Sequence, residues 1–350
     1  MSESQRLTLL NKSRAKTAHA PDKKAMGQKE ITALVEDELK LVEASILENF
    51  QSNVAIIPLI SNYLTNGGGK RLRPILVLLM SKLFGHGGDE GPIIHSTVVE
   101  YIHAATLLHD DVVDSADIRR GIKSANAKWG NGYSVLVGDY LFAKSVSLMA
   151  QNSSADIINA VSDATRYLAE GEILQLLHRY DPEVTEEKYL DIVFRKTGAL
   201  ITTSCIIGAF LGNSTPEQRE AVEIYGRNVG IAFQLTDDIL DFKSDEKTLG
   251  KPVGHDIEEG HVTLPFIHAY GKAAPEERKF LSDTVKEPKL TAQTVRKVIA
   301  LVEKYDGIGY TERFAFEHVD RAVNALEGFE PGVYRDALAG LAEYITNRTS

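Results

Sequence analysis

Two acidic clusters of the same form lie within apolar stretches of the chain. They read Asp110-Asp111-Val112-Val113-Asp114 and Asp237-Asp238-Ile239-Leu240-Asp241. In a helix, residues four apart lie on one face, so Asp110 would stand over Asp114 and Asp237 over Asp241. Like charges at this spacing repel, and aspartate is unfavourable in the middle of a helix. The clusters therefore predict bound divalent cations, Mg²⁺ above all, because Mg²⁺ binds carboxylates together with substrate phosphates.

The residues before each cluster bear on whether the aspartates are functional. A single acidic triplet on a helix is more often a solvated face. Here residues 104–108 read AATLL and residues 231–235 read IAFQL, so the carboxylates are expected to face a cavity. Neither cluster has the glycine-centred twelve-residue pattern of a calcium loop. The repetition favours a metal site built by two helices.

A second pattern, GGGKRLRP at residues 67–74, predicts an anion site. Pro74 suits the first turn of a helix, and the glycines before it allow a tight turn. Lys70, Arg71 and Arg73 would then surround a helix N-terminus, which carries partial positive charge. This arrangement suits a diphosphate and differs from a Walker A loop, which ends in Lys-Ser or Lys-Thr. The alternative is a basic turn that happens to precede a helix.

Several other polar residues are weaker candidates. Arg119 and Arg120 follow the first cluster, where they could hold phosphate oxygens, although such a pair alone is more typical of a charged helix end. His103 lies on nearly the same helix face as Asp110, yet a lone histidine in an apolar helix is more often a core residue than a ligand. The others are Lys196 and Thr197 before an apolar helix, Gln234 before the second cluster, and Lys251 in a glycine-bounded loop.

The bulk composition is that of a globular protein and limits the classes of partner. The chain has 350 residues, 25% of them charged and 43% hydrophobic, and a net charge of −10, so nucleic acid is not an expected partner. Cys205 is the only cysteine, which suits a reducing cytoplasm. No secretory signal is visible. The longest weakly polar run, residues 198–212, is too short for a comfortable membrane span and predicts a buried helix.

Helical periodicity dominates the chain, and strand-like alternation is hard to find. Residues 1–28 are polar and are predicted to form a mobile tail or a loosely docked helix, whereas residues 29–350 are predicted to form a single all-α domain, a large helical bundle. A helix that is apolar all round, such as residues 198–211, belongs in the middle of a bundle or in a homodimer interface. The predicted helices cover residues 31–47, 54–64, 75–84, 94–108, 135–149, 157–177, 189–211, 221–242, 264–269, 295–305 and 337–345.

Taken together, the chain resembles the trans-isoprenyl diphosphate synthases from about residue 30 to its C-terminus. The markers, in the order and spacing of that family, are GGGKRLRP at 67–74, LLHDDVVD at 107–114, RRG at 119–121, VGDYLFAKS at 137–145, RKTGAL at 195–200, FQLTDDILDF at 233–242 and GKPVGHD at 250–256. Within the family it most resembles the polyprenyl branch. The resemblance implies a Mg²⁺-dependent transferase whose helical bundle surrounds a deep central cavity. It would condense isopentenyl diphosphate repeatedly, head to tail, onto an allylic primer, expected to be farnesyl diphosphate.

The resemblance also implies a role for each candidate residue. Mg²⁺, expected as three ions per site with Mn²⁺ as a substitute, would be bound by Asp110, Asp111, Asp114, Asp237, Asp238 and Asp241. The allylic diphosphate would be held by Arg119, Lys196 and Lys251, and the diphosphate of isopentenyl diphosphate by Lys70, Arg73, His103 and Arg120. Thr197 and Gln234 would present oxygens near the developing carbocation. Catalytic roles would fall to Asp110, Asp114, Lys196, Thr197, Gln234 and Asp237.

One position departs from the family pattern. The family commonly has a lysine before the Thr-Leu-Pro that stands here at residues 263–265, whereas this chain has Gly260-His261-Val262 there. If His261 touches a diphosphate, the contact would be strongest with the imidazole protonated.

The residues before the first cluster bear on product length. Short-chain relatives tend to carry an aromatic residue at the place of Ala105, whereas Ala105 and Thr106 are small here. A growing chain is expected to pass them toward a far wall made by Phe142, Val146 and Met149. The expected product is therefore a heptaprenyl to decaprenyl diphosphate, serving quinone side chains.

Three other functions, besides a short-chain farnesyl or geranylgeranyl diphosphate synthase, compete with this interpretation. A class I terpene cyclase would need only one diphosphate site, and a non-catalytic partner subunit should have lost its aspartates. A metal-buffering helical protein leaves the cationic residues unexplained. The expected assembly is a cytoplasmic homodimer without a membrane span, making peripheral membrane contact when it releases product.

Overall fold

The computed structural model describes residues 26–66, 70–119, 121–243, 254–287 and 289–347. In these ranges the chain is helical apart from one short hairpin, which confirms the predicted all-α fold. The first helices are α1 (Gln28–Ala33), α2 (Glu36–Asn49), α3 (Ile56–Asn66), α4 (Leu72–Leu83) and α5 (Gly91–Val113). Next come strands β1 (Ile118–Arg119) and β2 (Ile122–Lys123), then α6 (Ala125–Trp129), α7 (Asn131–Asn152), α8 (Ala155–Leu177) and α9 (Glu186–Val193). A π-helical segment (Phe194–Gly198) leads into α10 (Ala199–Leu211), α11 (Pro216–Lys243), α12 (His255–Glu258), α13 (Leu264–Lys272), α14 (Pro275–Val285), α15 (Ala292–Lys304), α16 (Gly307–Ala325) and α17 (Val333–Asn347).

Helices α5 and α11 carry the two acidic clusters. Each begins with a proline in its first turn, Pro92 in α5 and Pro216 in α11, where the missing N–H costs nothing. Each cluster falls in the last turns of its helix. The C-terminal end of a helix carries partial negative charge, so these aspartates stand where anions are least favoured. Bound cations would offset both the repulsion between neighbouring aspartates and the unfavourable interaction with the helix end.

Helix α10 lies in the interior of the bundle. Ten of its residues are buried, and it packs against α4, α8 and α11. This confirms the buried helix predicted for residues 198–212. Together with α9 and the π-helical segment it forms one helical run, Glu186–Leu211. That run is the one described helix long and apolar enough to cross a membrane, and 72% of its most apolar window is buried within the chain, as expected of a core helix.

The hairpin and four helices, α6, α12, α14 and α16, were not predicted. The pair Arg119–Arg120 was compared with a charged helix end, but α5 ends at Val113 and Arg119 lies in β1, which pairs with β2. Gly121 has φ 75°, a value that glycine adopts readily in such a turn. Helix α16 buries mostly small or polar residues, including Thr311, Ala315 and Ala322, which hide the periodicity, and α14 was missed as well.

Candidate active site

A cavity of about 520 Å³ opens between α5, α8 and α11. Its apolar lining residues are Leu107, Leu168, Val184, Ile192, Val193, Leu200, Phe233 and Val262. Its polar lining residues are Arg73, His103, Thr106, Asp110, Asp114, Arg119, Glu172, Gln175, His178, Tyr189, Lys196, Thr197, Gln234, Asp237, Asp238, Asp256, Glu259, His261 and Thr263. Residues that are far apart in the sequence thus line one cavity.

On α5, Asp110 and Asp114 face the cavity, as their spacing predicts. Asp111 is 1% exposed and turns toward Arg119, whose Nε donates a hydrogen bond to its Oδ1 at 2.7 Å. Burial raises the pKa of Asp110 to about 7, although Lys196 and Arg119 counteract it. Burial likewise raises the pKa values of Asp111 and Asp114. The carboxylates on this face are therefore poorly neutralised by the protein alone.

On α11, Asp237 and Asp238 line the cavity, whereas Asp241 does not. Asp238 is held by hydrogen bonds from Gln234 Nε2, at 2.8 Å, and from the Tyr189 hydroxyl. Burial raises its pKa well above the usual range. Asp241 is 2% exposed and accepts a hydrogen bond from the backbone N–H of Asp256. It thereby ties the end of α11 to the start of α12.

The π-helical segment brings Lys196 and Thr197 into the cavity. Such segments widen a helix by one residue and often occur at functional sites. Lys196 Nζ lies 2.7 Å from Glu172 Oε2. Burial works against the charge of Lys196, but Glu172 and Asp110 outweigh it and raise its pKa. The hydroxyl of Thr197 donates to Gln234 Oε1 at 2.8 Å, which joins this segment to α11.

The basic pattern before α4 divides in the structure. Arg73 and His103 line the cavity, and burial lowers the pKa of Arg73. Arg71, at the N-terminal end of α4, instead forms ion pairs with Glu43 and Glu100. Lys70 borders a separate small pocket between α1, α4, α11 and α17. Residues 67–69, Arg120 and Lys251 lie outside the described residues.

The donor groups fit a divalent cation with additional ligands. The buried oxygens Asp111 Oδ2, Asp114 Oδ1 and Glu172 Oε1 accept no hydrogen bond from any described residue. Buried acceptors left in this state are costly, and a hard cation would satisfy them. Within the described ranges, no three Asp, Glu, His or Cys side chains converge into a finished metal site. This agrees with the chemistry of Mg²⁺, which takes few protein ligands and completes its shell with water and phosphate oxygens.

Several lining residues were missed from the sequence. Glu172 and Gln175 are three apart on α8 and face the cavity, a signal present in residues 170–176 (EGEILQL) but weak on its own. Asp256 lies in α12, and Glu259 is the residue that follows this helix. His261, the residue at the position that departs from the family pattern, lies 3.1 Å from Gln175, measured between their Nε2 atoms. Burial lowers its pKa to about 4, so the imidazole is neutral here rather than protonated.

The structure places the residues of the expected product tunnel differently from the prediction. Thr106 lines the cavity, but Ala105 is buried in the core of the bundle and faces elsewhere. Phe142 and Val146 are 37% and 47% exposed on the surface of α7, so they are not a far wall of the cavity within this chain. Met149 is buried in an aliphatic cluster that also contains Leu168 and Leu200, two residues of the cavity lining.

Comparison with known proteins identifies the family. A family model described as polyprenyl synthetase matches residues 54–302. The chain belongs to the polyprenyl synthetase family. Octaprenyl diphosphate synthase from Escherichia coli (strain K12) is 36% identical over 92% of this chain and 99% of its own length. The predicted family and its enzyme class, the prenyltransferases, are thereby confirmed.

Two further relatives bear on fold and product. The structure of a polyprenyl synthase from Caulobacter crescentus CB15, complexed with calcium and isoprenyl diphosphate, is 36% identical. It superposes with a TM-score of 0.89 over 94% of this chain and 100% of its own. A short chain isoprenyl diphosphate synthase from Methanothermobacter thermautotrophicus is also 36% identical, over 82% of this chain and 89% of its own length. Sequence identity to these relatives therefore does not by itself distinguish product lengths.

Proposed function

We propose that this protein is a metal-dependent polyprenyl diphosphate synthase that makes a long all-trans chain. It would add isopentenyl diphosphate units to an allylic primer, farnesyl diphosphate. The observation that carries the proposal is the pair of acidic helix ends that share one cavity with Lys196, Arg73 and Arg119. Cations and carboxylates in one cavity suit two diphosphates and divalent ions together. A terpene cyclase would leave the second diphosphate site without a purpose.

We assign the metal to the aspartates of both clusters, as Mg²⁺ with three ions per site and Mn²⁺ as a substitute. Asp110, Asp114, Asp237 and Asp238 face the cavity, while Asp111 and Asp241 stand behind them. When bound, divalent ions neutralise the charge that develops on a departing diphosphate. The raised pKa of Asp110 supports this assignment, because a group that is costly to ionise alone gains most from a cation.

The remaining residues divide between the two substrates. Lys196, Arg119 and Lys251 would bind the allylic diphosphate, and Lys70, Arg73, His103 and Arg120 that of isopentenyl diphosphate. Thr197 and Gln234 are linked to each other and, through Gln234, to Asp238. This chain of hydrogen bonds would fix the direction of the Gln234 amide oxygen, which would face the allylic carbocation. Attack by the double bond of isopentenyl diphosphate forms the new carbon–carbon bond, and released diphosphate would accept the proton.

An aliphatic cluster that reaches the cavity lining supports a long product. The lining residues Leu168 and Leu200 belong to this cluster, whose buried members carry no aromatic ring. They come from α4, α5, α7, α8 and α10: Val77, Val98, Val99, Ile102, Met149, Ile157, Val161, Leu168, Leu200 and Ile207. A growing apolar chain would meet buried aliphatic side chains there. A farnesyl or geranylgeranyl product is the alternative, and it would mean that this cluster stays closed.

The remaining parts of the proposal concern assembly and location. We propose a homodimer in which residues 29–350 form one domain per protomer. Exposed apolar side chains on α7 and α8 support this: Tyr133, Leu136, Phe142, Val146, Ile173, Leu176 and Leu177. A cytoplasmic location, peripheral membrane contact during product release and a role in quinone side-chain synthesis stay predictions. Equilibrium sedimentation of the wild type and of Leu136→Glu would test the dimer.

The deciding experiment is a product analysis. The purified protein is incubated with labelled isopentenyl diphosphate, farnesyl diphosphate and Mg²⁺, and the dephosphorylated products are separated by chromatography with polyprenol standards. Heptaprenyl to decaprenyl products are expected, and chelator should abolish them. A cyclic hydrocarbon would identify a terpene cyclase instead, and a C15 or C20 product would identify a short-chain synthase. Absence of any product would favour a non-catalytic subunit or a metal-buffering protein.

A further inference from the structure

Arg179 lies in the turn after α8, beside Asp114 of the cavity lining. Its neighbour Tyr180 has φ 65°, a left-handed conformation that costs a non-glycine residue about 1–2 kcal/mol. The turn is held by the Tyr180 N–H, which donates to the Gly260 carbonyl at 2.9 Å, and by the Tyr180 ring, which lies where a Cβ on Gly260 would stand. Strained turns of this kind persist where the surrounding structure fixes them, often at functional sites.

The side chain of Arg179 is anchored by one of its three nitrogens. Nε donates a hydrogen bond to the backbone carbonyl of Glu259. Nη1 lies 3.9 Å from Asp114 Oδ1, which is close enough for attraction but too long for a hydrogen bond. Among the described residues, the terminal nitrogens of Arg179 make no hydrogen bond. Because the side chain is only 19% exposed, an oriented and mostly desolvated guanidinium group keeps unused donors beside Asp114.

The charges around this corner are unbalanced. Asp110, Asp114, Glu172 and Glu259 bring carboxylates to it, and Lys196 is already paired with Glu172. His261 adds no positive charge near neutral pH, because burial lowers its pKa to about 4. An anionic substrate at Asp114 therefore depends on cations other than His261. Arg179 is a cation within ion-pair distance of Asp114 that no family motif quoted above contains.

We propose that Arg179 is a substrate-binding residue of the allylic diphosphate site, donating its unused terminal N–H groups to diphosphate oxygens next to Asp114. This inference rests on the proposed function. A planar guanidinium group binds two oxygens of a phosphate at once. The bond from Nε to the Glu259 carbonyl holds the group in place before substrate arrives, which reduces the entropy lost on binding. Arg179 would thus carry part of the diphosphate contact at the position where His261 is neutral.

The test compares Arg179→Gln with a matched control, Arg335→Gln. Arg335 has the same kind of contacts, one with the carbonyl of Phe329 and one with Asp336, and is 26% exposed, but its carboxylate partner belongs to neither acidic cluster. Isothermal titration calorimetry with inorganic diphosphate in the presence of Mg²⁺ gives the dissociation constant for each protein. Loss of a charge-assisted hydrogen bond should weaken binding by about tenfold to a hundredfold in Arg179→Gln, and Arg335→Gln should bind as the wild type does. In kinetics, the KM for farnesyl diphosphate should rise while that for isopentenyl diphosphate stays unchanged.

The outcomes separate this inference from the proposed function. Equal dissociation constants for the two variants, with a lower melting temperature in Arg179→Gln alone, would make Arg179 a structural clamp and overturn the inference. If the wild type itself catalyses no condensation, the proposed function is overturned instead. If Arg179→Gln does not fold, arginine modification of the wild type by phenylglyoxal, mapped by mass spectrometry, decides. Protection of Arg179 but not Arg335 by Mg²⁺ and diphosphate supports the inference, and equal modification with and without them refutes it.

Discussion

Gly230 offers a sharp test of how the site is held together. It lies on α11 where that helix crosses the π-helical segment, and a Cβ added to it would stand 2.5 Å from the Cα of Gly198. Carbon atoms in contact prefer roughly 3.5–4.0 Å, so Gly230→Ala must move the two backbones apart by about 1 Å. Backbone atoms, unlike the end of a flexible side chain, cannot turn aside. The Thr197–Gln234 hydrogen bond, 2.8 Å long, spans this same crossing.

Activity should therefore fall much more than stability in Gly230→Ala. Overpacking costs about 1–3 kcal/mol, and exchange of glycine for alanine in a helix returns about 1 kcal/mol, so the net loss of unfolding free energy is about 0–2 kcal/mol. A displacement of about 1 Å at a catalytic contact, however, can lower turnover about 100-fold. The two effects differ by enough to be separated experimentally.

The assay measures initial incorporation of labelled isopentenyl diphosphate, with thermal unfolding followed by circular dichroism. Gly271→Ala is the matched control, since Gly271 lies near the end of α13 and a Cβ there would meet nothing within 4 Å. That variant should keep wild-type turnover and unchanged or slightly higher stability. Turnover of Gly230→Ala within about twofold of the wild type would refute the reasoning, because the crossing would then tolerate the added carbon.

Four further outcomes are expected. Mg²⁺ affinity measured by calorimetry should rise as the pH increases through about 7, the pKa of Asp110, because the carboxylate must lose its proton to bind metal. Asp110→Asn should abolish this pH dependence and lower turnover by several orders of magnitude. The same pH dependence in the variant as in the wild type would contradict the assignment of Asp110 as a metal ligand. Arg73→Ala should raise mainly the KM for isopentenyl diphosphate and Lys196→Ala that for farnesyl diphosphate, whereas equal effects on both substrates would argue against two sites. Burial lowers the pKa of His318 to about 4, so as the pH falls the unfolded chain binds a proton at this histidine before the folded protein does. Denaturant titrations should therefore show on the order of 3 kcal/mol of unfolding free energy that is complete above pH 6.5 and disappears as the pH falls toward 4. His318→Phe should lose this part of the pH dependence, and an identical dependence of stability on pH would exclude His318 as its source. Thr106→Tyr should shorten the product seen by chromatography without abolishing condensation, and an unchanged long product would mean that the chain takes another path.

The sequence alone determined the chemistry-bearing parts of this protein. Aspartates at i, i+1 and i+4 within apolar runs can be recognised as candidate metal ligands, because this spacing is unfavourable in an ordinary helix and yet occurs twice. Their order relative to the basic pattern at 67–74 and to Lys196-Thr197 sufficed to predict the family. The apolar circumference of residues 198–211 predicted their burial. Each of these signals is local, and local periodicity is what a single sequence records.

Only the tertiary structure decided which of these residues share the cavity. Asp238 faces it while Asp241 ties α11 to α12, although both belong to one motif, because α12 packs against the end of α11. Arg71 and Arg73 are two residues apart, yet Glu43 and Glu100 bind the first and the cavity receives the second. Such outcomes depend on partners distant in sequence, so no local pattern contains them. Arg179 and His261 likewise reach the site because the turn after α8 meets the segment after α12, a contact fixed by packing and not by the spacing of either segment.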